Sequence, residues 1–156
     1  IVNGRVTFQK VVPSSLDEEN AYARICEWAR QRFVKPNVIV SKFTEMDETN
    51  HALNLTAEEY LVFTNKFFVL DRTRINYWLG FQFDDGAVVV KMTRINYWYE
   101  EEREGGLKFS AEEFISDDEA FNRKGTKLMK DQGKFRKGTI DFFESIVAEA
   151  TEVLAD

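Results

Sequence analysis

One cysteine, Cys26, occurs in 156 residues. That excludes an internal disulfide and a thiolate metal cluster. Its place on the apolar stripe of a helix reads as a small buried hydrophobe. There is also one histidine, His51. It has no cysteine or second histidine at ligand spacing and no nucleophile with an obvious base beside it, so it reads as a solvated loop residue. Only two prolines occur. Each marks a boundary: Pro13 closes a strand and Pro36 stops a helix. No apolar run approaches the ~20 residues that span a membrane.

Catalytic signatures are missing too. There is no phosphate-cradling glycine loop, no Gly-x-Ser-x-Gly elbow and no histidine pair at zinc spacing. Acidic residues come in surface-type runs: Asp17-Glu18-Glu19, Glu100-Glu101-Glu102 and Asp117-Asp118-Glu119. An acid/base pair needs one desolvated member, and nothing in these runs singles one out. No catalytic residue, metal or cofactor is therefore expected. The formal net charge of −6 argues against nucleic acid as a partner.

What the chain does have is aromatic residues: fourteen Phe, five Tyr and three Trp. With 44% hydrophobic and 31% charged residues, residues 1–156 suit one globular domain with an aromatic-heavy core. A chain of this size buries roughly 70% of its unfolded surface. It starts at Ile1 rather than Met, which reads as a processed or trimmed product whose targeting segment is gone.

The organising stretch is residues 60–101, dense in aromatic and β-branched residues. Its alternation predicts a three-stranded antiparallel meander. Asp84-Asp85-Gly86 is a strong hairpin signal, and Asp71-Arg72-Thr73 a weaker one. Along residues 74–83, Ile75, Tyr77, Leu79, Phe81 and Phe83 share one face, and Arg74, Asn76, Trp78, Gly80 and Gln82 the other. In the next strand Val88, Val90 and Met92 face the core, but then the apolar parity moves to Ile95, Tyr97 and Tyr99. An extra, bulged residue between Met92 and Arg94 accounts for the switch. The register that follows sets Phe83 against Val88, Phe81 against Val90, Leu79 against Met92, Tyr77 against Ile95 and Ile75 against Tyr97.

Around the meander, residues 5–12 read as a first strand. Ser15 with Glu18 reads as a capping box opening a helix, with Ala21, Ile25, Trp28, Ala29 and Phe33 as its apolar stripe. Residues 38–43 read as a short strand anchored by Val38, Val40 and Phe43, and residues 44–59 as polar and irregular. Beyond a loop at Gly105-Gly106, Ser110/Glu113 and Ser116/Glu119 are two further capping boxes, predicting a short helix and then a second with Ala120, Phe121, Leu128 and Met129 as its stripe, ended or interrupted at Gly133. A last helix is read from near Thr139, with Ile140, Phe143, Ile146, Val147, Ala150, Val153 and Leu154 inward. The expected fold class is α+β: a curved antiparallel sheet of about five strands in the order β-α-β-β-β-β-α-α, with the first and last helices on one face.

Two surfaces are candidates for binding. The outer sheet face collects Arg74, Asn76, Trp78, Arg94, Asn96 and Trp98, with Trp98 expected to pack on Arg74 and Trp78 on Arg94. Exposed contacts of that kind contribute ~0.5–1 kcal/mol. Such a face suits a protein or glycan partner. The second is a basic run, Arg123, Lys124, Lys127, Lys130, Lys134, Arg136 and Lys137, against one acid, Asp131. It is either a solvated helix face or an anion-binding patch.

Five segments carry a resemblance: Glu59-Tyr60-Leu61-Val62-Phe63, Leu70-Asp71-Arg72-Thr73-Arg74-Ile75, Arg94-Ile95-Asn96-Tyr97-Trp98-Tyr99, Ser110-Ala111-Glu112-Glu113-Phe114-Ile115 and Gly133-Lys134-Phe135-Arg136-Lys137-Gly138-Thr139-Ile140-Asp141. Over residues 6–154 the chain resembles a family of exported Bacteroidales proteins, a domain of unknown function with a fold like the TATA-box-binding protein. The resemblance implies a curved sheet with two main helices on one face, and export to the periplasm or cell surface. It implies no catalytic residues, and the fold alone does not license DNA binding. The expected function is a non-enzymatic binding module of the envelope or secreted fraction. The alternative is a small-ligand, lipid-binding or hydrolytic helix-grip domain, which would need a deep cavity between the last helix and the meander. A purely structural accessory domain is a third reading.

Overall fold

The computed structural model describes residues 1–34, 38–66, 69–100, 104–121, 124–125, 127 and 129–155, with side chains for all of these but residues 65, 66, 69 and 70. The elements run β1 (Phe8–Pro13), α1 (Glu18–Arg32), β2 (Val38–Asp47), β3 (Ala52–Lys66), β4 (Val69–Asp84), β5 (Ala87–Tyr99), β6 (Leu107–Ser110), α2 (Ala111–Phe114), α3 (Asp117–Ala120) and α4 (Lys130–Leu154). All six strands form one antiparallel sheet in the order β1-β5-β4-β3-β2, and β6 also pairs with β5. This is the α+β curved-sheet architecture expected, with one strand more than the approximate five. Strand β6 is only four residues long and follows directly on the glycine loop, too short for alternation to register.

The central hairpin has the expected register. Phe83 pairs with Val88, Phe81 with Val90, Leu79 with Met92 and Ile75 with Tyr97. The shift falls between Asn76 and Trp78, which pair with Asn96 and Thr93. The extra residue is therefore in the segment Arg94–Ile95, opposite Tyr77 and one position beyond the expected place. Arg94 takes the strain, with φ at 51°. The bulge lets Ile95 and Tyr97 stay buried alongside Met92.

Several boundaries differ from expectation. Asp71-Arg72-Thr73 is no turn but lies inside β4, pairing with Thr64, Val62 and Leu61. Residues 44–59 are not irregular: they end β2 and open β3, because Leu53, Leu55, Ala57 and Glu59 are buried at period two while polar residues between them face out. Asp17, not Ser15, caps α1, accepting from the Asn20 backbone N–H at 2.8 Å. The last helix begins nine residues earlier than Thr139, at Lys130, and contains both Gly133 and Gly138. Gly138 is there because a Cβ would lie 2.9 Å from the Phe63 ring. The capping box at Ser110/Glu113 is formed, but the one at Ser116/Glu119 is not. Ser116 Oγ instead donates to Glu112 O at 3.0 Å, and α3 is a single turn. Of the expected stripe, Ala120 ends α3, Phe121 and Met129 lie in no helix, and Leu128, like Pro36, lies outside the described residues. The first strand begins at Phe8 rather than Arg5.

Helices α1 and α4 pack on the inner sheet face. Ala21, Ile25, Cys26 and Ala29 of α1 and Phe135, Thr139, Phe143, Ile146 and Ala150 of α4 are buried there. Arg24 ties the two helices, its Nη1 donating to Ala155 O at 2.9 Å at the carbonyl end of α4. The rings of Phe63, Tyr97, Tyr99, Phe109 and Phe114 surround Phe135 with centroids 4.7–5.3 Å away.

A polar clamp joins β4 to α4 at the rim of this aromatic group. Lys134 Nζ donates to Asp71 Oδ2 at 2.8 Å and to the Tyr99 hydroxyl at 3.1 Å. Partial burial alone would raise the Asp71 carboxyl, but hydrogen bonds from Lys134 and Tyr99 outweigh it and hold the group below its usual range. A depressed carboxyl contributes stability above its unfolded value and loses it as pH falls through the folded value. Asp71→Asn is therefore expected to flatten the loss of melting temperature below about pH 4. Thermal melts of both proteins from pH 6 to pH 3 check this; parallel curves would refute it.

Candidate functional site

The outer face of the sheet is built by strand alternation alone. Every second residue of β3, β4 and β5 points away from the helices, and among the described residues no helix packs on that side. Arg74, Asn76, Trp78, Arg94, Asn96 and Trp98 all lie on it. Asn76 pairs with Asn96 and Arg74 with Trp98 across the β4–β5 ladder. Trp78 is 49% exposed, whereas Leu79 and Phe81 beside it are 1% and 4% exposed.

The two expected cation–ring contacts are present. Arg94 Cζ lies 4.2 Å from the Trp78 ring centre and Arg74 Cζ 4.8 Å from that of Trp98. The second belongs to a longer row. Lys108 Nζ sits 4.3 Å from the Trp98 ring centre, Arg74 is 5.9 Å from the Tyr60 ring, and Arg72 Cζ is 3.7 Å over Tyr60. Cation and ring therefore alternate across four strands: Lys108, Trp98, Arg74, Tyr60, Arg72. Glu58 pairs with Arg74 at 3.3 Å, and the Trp98 indole N–H donates to Gly105 O at 2.8 Å. These contacts hold long side chains in place before any partner arrives, which reduces the entropy lost on binding.

Three members of the row escaped the sequence reading. Lys108 belongs to β6, which was not expected. Arg72 was assigned to a turn. Tyr60 falls in the first strand of the meander, but the turn expected at Asp71-Arg72-Thr73 sets it far along the hairpin from Arg74, with which it pairs. Lys91 could have been found, since the inward parity of Val90 and Met92 places it outward.

The basic run does not form one patch. Arg123 lies outside the described residues. Lys134 is held by Asp71 and Tyr99, as above. Arg136 turns the other way, donating to Ile115 O at 2.9 Å and pairing with Asp117 at 2.7 Å. Lys124, Lys127, Lys130 and Lys137 are exposed. Six cations, Lys42, Arg72, Arg74, Lys91, Arg94 and Lys108, instead face outward on the sheet, alongside Glu45 and Glu58.

His51 is not a solvated loop residue. It sits in the β2–β3 turn with φ at 51°, its Nδ1 2.9 Å from Glu18 Oε1 and its ring 5.3 Å from that of Tyr22. It pins the turn to the start of α1. Among the described residues no group of three His, Cys, Asp or Glu is placed to hold a metal ion, and no helix is long and apolar enough to cross a membrane.

Residues 8–98 match the family described as "Domain of unknown function (DUF4468) with TBP-like fold". A crystal structure of a DUF4468 family protein from Bacteroides ovatus is similar over 100% of this chain and 90% of its own, at 27% identity and a TM-score of 0.89. A TBP-like protein from Parabacteroides distasonis is similar over 99% of this chain and 95% of its own, at 19% identity and a TM-score of 0.79. No curated protein matches.

Proposed function

The chain belongs to this DUF4468 family of domains of unknown function with a TBP-like fold, and from that premise we propose that it is a non-enzymatic binding module. It would work in the periplasm, at the cell surface or in the secreted fraction, and take a protein or glycan on the outer face of its sheet. The observation that carries this reading is the row of alternating cations and rings on a face that no described helix covers. Rings that serve only to stabilise a fold are normally buried; here Trp78 is half exposed while its neighbours in β4 are sealed. Export is what the resemblance to exported Bacteroidales proteins, read from the sequence, would imply.

The helix-grip alternative is less favoured. Between α4 and the sheet, where that reading needs a cavity, the described side chains pack ring against ring around Phe135. Nucleic acid fits poorly, because a long polyanion meets the field of a molecule carrying −6.

The test is Trp78→Ala with Trp98→Ala. Each ring makes surface cation contacts of ~0.5–1 kcal/mol, so the double variant should melt cooperatively within about 2 kcal/mol of the wild type. It should no longer retain what the wild-type domain retains from an envelope extract. Unchanged retention would refute the proposal, and so would loss of cooperative melting, which would make the rings part of the core.

A further inference from the structure

Building on the binding-face reading, we infer that a groove beside Trp78 holds an acidic saccharide, its ring against the part of the indole that Arg94 leaves exposed and its carboxylate or sulfate on Arg5, Lys91 and Arg94. The groove originates in how β5 is flanked. Strand β1 pairs with β5 only as far as Phe8 with Met92, and β6 only from Ser110 with Asn96. Thr93, Arg94 and Ile95 lie between the two, where the bulge is. The N-terminal turn, closed by the bridge of Val2 to Arg5 and carrying Asn3 and Gly4 at φ 52° and 76°, comes in at this gap. The groove between turn and sheet is open to solvent on one side and has a volume of about 350 Å³, within the size range of small-ligand sites.

The side chains that line it carry charge of one sign, the Glu45 carboxylate standing outside the lining and hydrogen-bonded to the Asn54 amide. Arg5, Lys91 and Arg94 line it, all three exposed, and no Asp or Glu does among the described residues. Such an arrangement favours an anion, and the guanidinium forks suit a carboxylate or sulfate in two-point contact. The floor is Gly80, next to Trp78. A Cβ at Gly80 would come within 2.6 Å of Asn54 Oδ1, so the bare glycine lets the Asn54 amide lie across the strand. Asn54 Nδ2 donates to Glu45 Oε1 at 2.7 Å, which fixes the amide and leaves Oδ1 as an acceptor at the floor. Thr7 and Thr93 add hydroxyl groups. A flat indole, an amide oxygen and hydroxyls beside three cations match a hydroxyl-rich ring that bears negative charge.

Two other ligand classes fit less well. An extended acidic peptide gains most of its affinity by adding to a free strand edge. Here β3 and β4, whose main-chain groups are paired on both sides, form the floor, and the unpaired edge at the groove is only the short stretch 93–95, interrupted by the left-handed Arg94. An oligonucleotide would extend beyond the groove into the field of a chain with net charge −6. A compact anion within about 8 Å of the three cations is screened from most of that charge.

The experiment titrates the intact chain with trigalacturonic acid, with cellotriose as the neutral counterpart and with trithymidylate as the phosphate-bearing one. It follows the indole N–H resonances by NMR and affinity by calorimetry. Trigalacturonic acid should shift the Trp78 resonance more than that of Trp98 and bind at least tenfold tighter than either other probe. Trp78→Ala and Lys91→Glu should each weaken it at least tenfold, while the melting temperature stays within a few degrees. Equal binding of cellotriose, tighter binding of trithymidylate, or no shift at Trp78 would each overturn the inference. Should that happen while the double tryptophan variant still loses its partner, the binding face stands and only the acidic saccharide falls.

Discussion

Glu59→Ala is expected to destabilise the protein by about 3–5 kcal/mol, the cost of leaving a buried charge without its partner. Glu59 is 3% exposed, on the inner side of β3. Its Oε1 accepts from Arg32 Nη2 at 3.1 Å, and its Oε2 accepts from the Tyr77 hydroxyl. Arg32 reaches on to Glu149 Oε2 at 3.3 Å, which in turn accepts from the Trp28 indole through its other oxygen at 3.4 Å. The cluster thus joins α1, β3, β4 and α4. Burial pushes the Arg32 guanidinium toward losing its proton, but the Glu59 carboxylate more than offsets this, and the net direction is up. Burial, reinforced by Glu59, also keeps the Tyr77 phenol protonated well above its usual range. Removing Glu59 alone strands the Tyr77 hydroxyl and the Arg32 Nη groups, leaving the guanidinium only its Nε contact with the part-exposed Glu149. Replacing the three together, as Arg32→Met, Glu59→Leu and Tyr77→Phe, leaves nothing unpaired and should restore most of the loss. Urea unfolding of the single and triple variants decides it. A single variant within about 1 kcal/mol of wild type would mean that water reaches the cluster.

Phe135→Ala should cost a further ~3–5 kcal/mol by the same measurement. Phe135 is 1% exposed, and five other rings stand within 5.3 Å of its centroid. Those rings come from β3, β5, β6 and α2, so no single element can move in to fill the space. The loss should fall mainly on the end of the molecule where β6 and α2 meet α4. Amide exchange there should accelerate more than in α1, and uniform acceleration would argue against this.

The sequence made the inner and outer sides of the central hairpin legible because alternation is strict there and an Asp-Gly turn fixes the register. The bulge was legible for the same reason: Met92 and Ile95 can both be inward only if one residue is extra. The hairpin of β2 and β3 was hidden because its outward residues, Asn54, Thr56 and Glu58, resemble a loop, and its inward side includes Ala57 and the charged Glu59. Glu59 is buried only because Arg32, 27 positions away, meets it in space. The same holds for Lys134, which reads as one more cation in a basic run until Asp71 is seen beside it. Of the outer face, the tryptophan–arginine pairs could be read from one hairpin. Lys108, Tyr60 and Arg72 needed the neighbouring strands, and the groove needed the chain's first residues to return to the bulge.

The interrupted flank of β5 also bears on self-association. One margin of the sheet is divided between two short strands with a left-handed residue between them, and the other margin, β2, has register shifts near Ile39 and Thr44. Neither offers the long, flat row of free main-chain groups that templates strand-by-strand stacking of copies. A domain built this way can carry an open, ring-lined sheet at high local concentration with its margins closed to fibre growth.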